Sequence, residues 1–581
     1  MFRFFRFNFI QILALALALL IPLSFQNNNT FFNILFIFCI SFVSIYIGYS
    51  IHIKLKINNI FNYNFSSIII LGYSIVSLLS VILIFFLHIR PIYSFLIVFF
   101  VFLLFDIFKK RKNINVEEKY FQFTYSKFQF FDFFVLILIT IFTIVWCRDL
   151  LFSLEASYQT GILNVWPDLF LHTNEIISLG NVNELNNQSL NLSGAKKNFY
   201  HIASYAIPAL YFDVSNQIAL QAAITFWTPF GIILMGLGVY LLSSILGNRA
   251  LGLATVILVF LLPDSSMYGL KQDYFGFHWM LQISPGTGYA ISIILLSVSM
   301  YIVGVRENKF NLVISSLFVV LISSFFRVQL ALPACLMMGI LADISWRPVK
   351  IWYRPVLYFL IFLLSSFSLL FFEKIELAPH FLSGTSGAEK FFDIIHNKIQ
   401  LFLPTNTFLG QIYSLVYNNI NLQLHWLITF FVFLISSIGL IFPLIILIGI
   451  INLVKEQHKV INFIPFLLFI VGFFVIIIVP IPPDGDFTNF GHRPFVLYYV
   501  TSIIFFIHWI YLIYKRNFID NKFAKFLLLF ALFVFVFIII DTPIKYGKLI
   551  QQPKTWSTNL TSNQIPMGLY KSTSYIRDNS K

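Results

Sequence analysis

Apolar runs recur along almost the whole sequence, and many approach or exceed 18 residues, such as "SSIIILGYSIVSLLSVILIFFL" at 66–87. About 20 apolar residues in a helix cross the ~30 Å hydrocarbon core of a bilayer. In lipid every backbone N–H and C=O must be paired within the protein, which restricts spanning structures to helices and closed barrels. Runs this long and unalternating are helical. The chain is therefore expected to be all-α, a polytopic membrane protein. A composition of 59% hydrophobic and 11% charged residues, with mean hydropathy +0.85, excludes an ordinary soluble domain.

About 15 spans are expected, at 8–25, 31–53, 66–88, 91–108, 129–149, 217–246, 250–263, 285–304, 310–326, 328–345, 352–372, 425–453, 460–480, 495–514 and 523–541. The run at 250–263 is short, and is either a span or a re-entrant segment. The connections alternate in charge. One set, including "HIKLK", "KKRK", "WRPVKIWYR" and "YKRNFIDNK", carries 22 Lys and Arg against 8 Asp and Glu; the other carries 16 of each. Basic residues resist translocation, so the first set is cytoplasmic. The amino terminus is then inside and the carboxyl terminus outside. The formal net charge of +14 is a matter of orientation, and nucleic acid is not an expected partner. The first apolar run follows "MFRFFRFNF" without a small-x-small cleavage site before "QNNNT", so it reads as an uncleaved span.

The larger loops fall on the outer side, at 150–216, 264–284, 373–424, 481–494 and the tail 542–581. No phosphate-binding loop or dinucleotide fingerprint occurs inside. The three cysteines, Cys39, Cys147 and Cys335, lie in or beside apolar runs and have no metal-ligand or disulfide-framework spacing.

Polar chemistry concentrates in "NVWPDLFLHTNEIISLG", residues 164–180. Pro167 suits the first turn of a helix, and Gly180 suits the left-handed residue that ends one. Between them lies a helix of about 13 residues, too short to span. Asp168, His172 and Glu175 fall at i, i+4 and i+7, along one side. Such a helix would lie at the membrane surface, its polar stripe facing water or a protein cavity. Tyr200 and His201 follow in "KKNFYHIASYAIPAL". Asp168 and His172, one turn apart, are also two potential ligands of a divalent cation such as Mg2+ or Mn2+, with no third ligand evident in the sequence.

Arg327, in "SSFFRVQLALP", is placed by topology at the outer tip of a helical hairpin. A guanidinium there either snorkels to lipid headgroups or meets an anion; its fork of donors matches a phosphate. Arg493, in "PPDGDFTNFGHRPF", sits at the mouth of the next span and is a second phosphate contact of the same kind. The nearby Asp484 and Asp486 read as a polar turn. The loop "DSSMYGLKQDYFGFHWMLQIS" carries Lys271, Asp273 and His278 among aromatic residues, an arrangement compatible with sugar stacking or with an interfacial aromatic belt. The loop after residue 372, with Glu373, Glu376 and His380, is a substrate-covering segment or a linker.

With Asp168 on the outer side just after a span, "WPDLFLHTNEI" followed by "FYHIASYAIPAL" resembles the GT-C superfamily of integral-membrane glycosyltransferases. The resemblance covers roughly 129–372, seven spans and the first outer loop, with the outer loop 373–424 next. It implies a sugar donor linked to polyprenyl phosphate and a glycan, lipid or protein acceptor. It implies an acidic residue near the membrane, matched here by Asp168, with His172, Glu175, Tyr200 and His201 around the acceptor. Four spans within 1–128 precede this module and those of 425–541 follow it. The family's paired acids are absent; Glu155 is the only second acid close by.

The expected function is sugar transfer on the outer face of a bacterial inner membrane, with Asp168 as base and Arg327 and Arg493 on the donor phosphate. A polysaccharide polymerase or ligase would use the same groups. A lipid-linked-sugar flippase or transporter would place ionisable groups near the bilayer midplane. Asp106, Asp132, Asp343 and His508 sit mostly toward span ends. A non-catalytic assembly partner is a further alternative.

Overall fold

The computed structural model describes most of residues 2–182, 202–262, 277–345, 387–515 and 564–566; 111–129, 183–201, 263–276, 346–386, 516–563 and 567–581 lie outside the described residues, as do a few shorter breaks. The helices are α1 (Phe2–Ser24), α2 (Thr30–Lys54), α3 (Asn64–Leu87), α4 (Pro91–Lys110), α5 (Phe130–Trp146), α6 (Asp168–Gly180), α7 (Ala206–Ser215), α8 (Ala219–Leu246), α9 (Arg249–Leu261), α10 (Gly286–Arg306), α11 (Phe310–Ile322), α12 (Val328–Ser345), α13 (Gly387–Phe402), α14 (Phe408–Asn418), α15 (Leu422–Ile438), α16 (Ile441–Lys455), α17 (Ile464–Ile478) and α18 (Phe495–Lys515). Short single-turn pieces accompany them.

Among the described residues seven helices are long and apolar enough to cross a membrane: Phe31–Lys54, Phe65–Leu87, Pro91–Phe108, Ala219–Leu246, Gly286–Arg306, Val328–Ser345 and Phe495–Lys515. The other expected spans divide for physical reasons. Four of them, 129–149, 250–263, 310–326 and 460–480, are apolar helices of 10–17 residues among the described residues, which at 1.5 Å per residue fall short of ~30 Å, while all but the last residue of 8–25 falls within the 23-residue α1. The span expected at 425–453 is two helices, α15 and α16, bent by 107°. Gly439 lies at the break with φ 81° and ψ −165°, a region essentially reserved for glycine. The spans expected at 352–372 and 523–541 lie outside the described residues.

The chain forms two compact units: Met1–Leu241 with Leu281–Phe326 and Gln552–Lys581, and Leu242–Met280 with Arg327–Gln551. In the first, α1 to α4 pack in succession, and α10 packs on α3 and α11. A Cβ added at Gly72 would lie 1.8 Å from the Ser44 carbonyl oxygen, and one at Gly48 would lie 2.0 Å from that of Ile68. Two backbones thus approach as closely as small residues permit, the usual way for helices to associate where lipid gives no hydrophobic drive. Polar ties fix the rest. The Asp213 carboxylate, from α7, pairs with Arg90 at 2.6 Å and accepts the Ile92 N–H at 3.2 Å, satisfying the start of α4 from outside the helix. Tyr240 donates to Asp132 at 2.6 Å. Asp106 accepts from Tyr46 and Ser50 and faces Lys54.

In the second unit α18 packs on α9, α15, α16 and α17, while α13 packs on α15 and α17. Within it, α13 buries Phe391, Phe392, Ile395 and Ile399 and exposes Asp393 and Asn397.

The described residues are otherwise helical, apart from one antiparallel ladder in the first unit. There β1 (Ile162–Asn164) pairs with β2 (Gln564–Pro566), Leu163 opposite Ile565. Backbone partners lie about 5 Å apart, so in a membrane protein both strands occupy one side of the bilayer. The chain between them then crosses the bilayer an even number of times.

Candidate functional site

The helix expected after Pro167 is present as α6, 13 residues from Asp168 to Gly180. An acid in the first turn complements the exposed N–H groups there. Gly180, however, is the last helical residue and not a left-handed cap. The Asn181 N–H still bonds to the Ile177 carbonyl, and the only glycine with positive φ among the described residues is Gly439. The role of Gly180 is space. A Cβ there would meet Cδ1 of Phe212 at 2.4 Å, so a glycine lets α7 lie against the end of α6.

The polar stripe divides along its length. Asp168 is half-buried, at the helix start. One turn on, His172 turns into protein. Its Nδ1 shares a 2.7 Å hydrogen bond with the Tyr205 hydroxyl, and its ring lies 4.6 Å from that of Trp227. Tyr205 and Trp227 are themselves 4.8 Å apart, so three rings close on one another. Glu175 is half-buried, with one carboxylate oxygen shielded from solvent. The flank beside this stripe buries Leu169, Thr173 and Ile176, and Leu179, one turn after Glu175 on the stripe's own side, is buried as well. The helix is thus embedded on two sides, more deeply than a helix resting on a membrane surface.

The fold brings the rings together by local means. Tyr205 ends a 3-10 turn, Ile202–Tyr205, that leads into α7. Trp227 closes a π-helical turn, Ala223–Trp227, within α8. Such turns widen a helix by one residue and are frequent at functional sites. The carbonyl of Trp227 accepts a 2.8 Å bond from Tyr289 of α10. Tyr289 in turn stacks on Tyr73 and Phe326.

The remaining sequence-derived residues are distributed as follows. Glu155 is exposed. Tyr200 and His201 lie outside the described residues, as do Lys271, Asp273, His278, Glu373, Glu376, His380, Asp484 and Asp486. Arg327 and Arg493 belong to the second unit. Arg327, just before α12, is only 2% exposed; a side chain so buried does not snorkel to headgroups. Arg493 is half-buried in the turn before α18. Among the described residues no three His, Cys, Asp or Glu side chains come together as metal ligands, and Asp168 and His172 gain no third donor from them. Comparison with protein-family models, with curated proteins and with solved structures gave no match.

Sequence reasoning missed Tyr205 and Trp227. Tyr205 stands within the quoted "FYHIASYAIPAL", four residues after the histidine that drew attention. Trp227 lies inside an apolar run, where nothing in the pattern separates a site residue from core.

Proposed function

We propose that the chain is a membrane glycosyltransferase that moves a sugar from a polyprenyl-phosphate donor to a glycan, lipid or protein acceptor on the outer face of the membrane. The observation that carries this reading is the setting of Asp168. It is a half-buried carboxylate at the first position of a helix whose next turn is locked through His172 to Tyr205 and Trp227. A base must be held at a fixed position relative to the proton it takes, and this arrangement fixes the helix while leaving its first residue accessible.

In the proposed step Asp168 accepts the proton of the acceptor hydroxyl. The acceptor oxygen bonds to the anomeric carbon, the bond from that carbon to the phosphate oxygen breaks, and the polyprenyl phosphate leaves with the electron pair. Arg327 and Arg493 are assigned to the phosphate, whose growing charge a guanidinium stabilises. His172, Glu175, Tyr200, His201 and Glu155 are assigned to the acceptor side.

The test is transfer of labelled sugar from a polyprenyl-phosphate donor in membranes containing the full chain. Asp168→Asn is expected to lose at least about 100-fold in rate, the scale of general-base contributions, with insertion and thermal midpoint unchanged. Full activity in that variant overturns the assignment. Products that lengthen in blocks would identify a polymerase or ligase, and translocation of unaltered substrate a flippase.

A further inference from the structure

Helix α14 differs from the other helix of its loop. It has 11 residues and no charge, "FLGQIYSLVYN". At ~1.5 Å per residue it is about 16 Å long, half of what a crossing requires. Phe408 is 75% exposed, Ile412 46% and Leu415 66%. Their spacing of i, i+4 and i+7 puts all three on one narrow stripe. Gln411 and Asn418, also exposed, lie along one edge of it.

The opposite face is firmly held. Tyr413 is buried and bonds through its hydroxyl to His396 Nδ1 of α13 at 2.9 Å. The Tyr417 ring is sandwiched between His396, 3.6 Å away, and His425 of α15, 4.3 Å away. The N-terminus is capped by Thr407, which accepts the Gly410 N–H at 3.1 Å. The apolar stripe is therefore fixed facing outward and cannot be folded away by turning the helix.

Its neighbours identify what covers it. With three residues between them, the apolar helix α15 follows α14, and its own outward stripe is Leu424, Leu427 and Phe431, each 38–46% exposed. α15 and α16 together are apolar enough for a membrane span, which puts that outward stripe against hydrocarbon. The stripe of α14 adjoins it in sequence, with uncharged polar residues along an edge. The preceding α13, by contrast, turns its apolar side inward and exposes Asp393 and Asn397.

We infer that α14 is an interfacial helix that buries Phe408, Ile412 and Leu415 in the leaflet from which α15 starts, at the boundary of headgroups and acyl chains. It anchors the end of the loop to lipid while α13 stays in water. The inference does not depend on the reaction proposed above.

The full chain is reconstituted in vesicles of phosphatidylethanolamine and phosphatidylglycerol. Spin labels are placed singly at Phe408→Cys, Ile412→Cys, Leu415→Cys, Gln411→Cys and Asn418→Cys, with exposed Cys39 replaced. Labels at 408, 412 and 415 are expected to collide several-fold more with oxygen, relative to a water-soluble nickel chelate, than those at 411 and 418. A second measurement needs no substitution. A lipid-soluble carbene reagent is expected to modify the unaltered chain within 408–415 and to spare Asp393 and Asn397. Nickel-accessible labels at 408, 412 and 415, absence of carbene modification there, or spin–spin broadening showing a second copy on the stripe would each overturn the inference.

Discussion

At the scale of single residues, the site turns on how His172 is held. The Tyr205 hydroxyl is the partner of its Nδ1. Tyr205→Phe keeps the ring and removes the bond, leaving a half-buried imidazole nitrogen with lost solvation. The expected cost is about 1 kcal/mol, read as a lower thermal midpoint of the purified chain. The same variant should slow the proposed sugar transfer less than Asp168→Asn, since it loosens the helix without removing the proposed base. These outcomes also mark the limit of sequence reading. Asp168 and His172 were legible because charged groups are expensive in an apolar chain and therefore conspicuous. Tyr205 and Trp227 were not, because aromatic residues are abundant here and only three-dimensional proximity distinguishes these two. The burial of Arg327 was likewise hidden, since sequence gives a residue's depth along a span but not which side faces protein.

At the scale of elements, helix positions were legible from apolar runs, while breaks within runs were not. In "LISSIGLIFPL" Gly439 and Pro443 mark an interruption, but neither announces a bend of 107°. The helix pair α2–α3 shows the opposite case, an unbroken association resting on two residues. Gly72→Leu would drive a side chain into the Ser44 carbonyl, a backbone atom that no rotamer change can move. The expected loss is about 3 kcal/mol, the upper range for overpacking, measured by unfolding in mixed micelles. A second element-scale prediction concerns the junction of α13, α14 and α15. Burial, with His425 adding to it, holds His396 below its ordinary value of 6.5, against the opposing effect of Asp393. Gln400, Tyr413 and Tyr417 complete its surroundings. Because the docked histidine binds a proton less readily than the undocked one, the junction is fully stable above pH 6.5 and weakens as pH falls through the depressed value. A spin label at Asn418→Cys should gain mobility between about pH 7.5 and about pH 5, and His396→Gln should remove that dependence.

At the scale of the whole molecule, the β1–β2 ladder ties a segment close to the carboxyl terminus to the strand that precedes α6 by a few residues. Replacing Gln564–Pro566 with glycines is expected to raise protease sensitivity near residue 162 while leaving α2 and α3 protected, as limited digestion with mass analysis would show. The ladder also sets a timetable. β1 leaves the ribosome roughly 400 residues before β2. At 5–20 residues per second the first strand waits about 20–80 s for its partner, and every intervening helix is made meanwhile. The segment leading to Asp168 thus reaches its final form only after β2 has been made, which delays completion of the candidate site until the helices between the two strands have been synthesised.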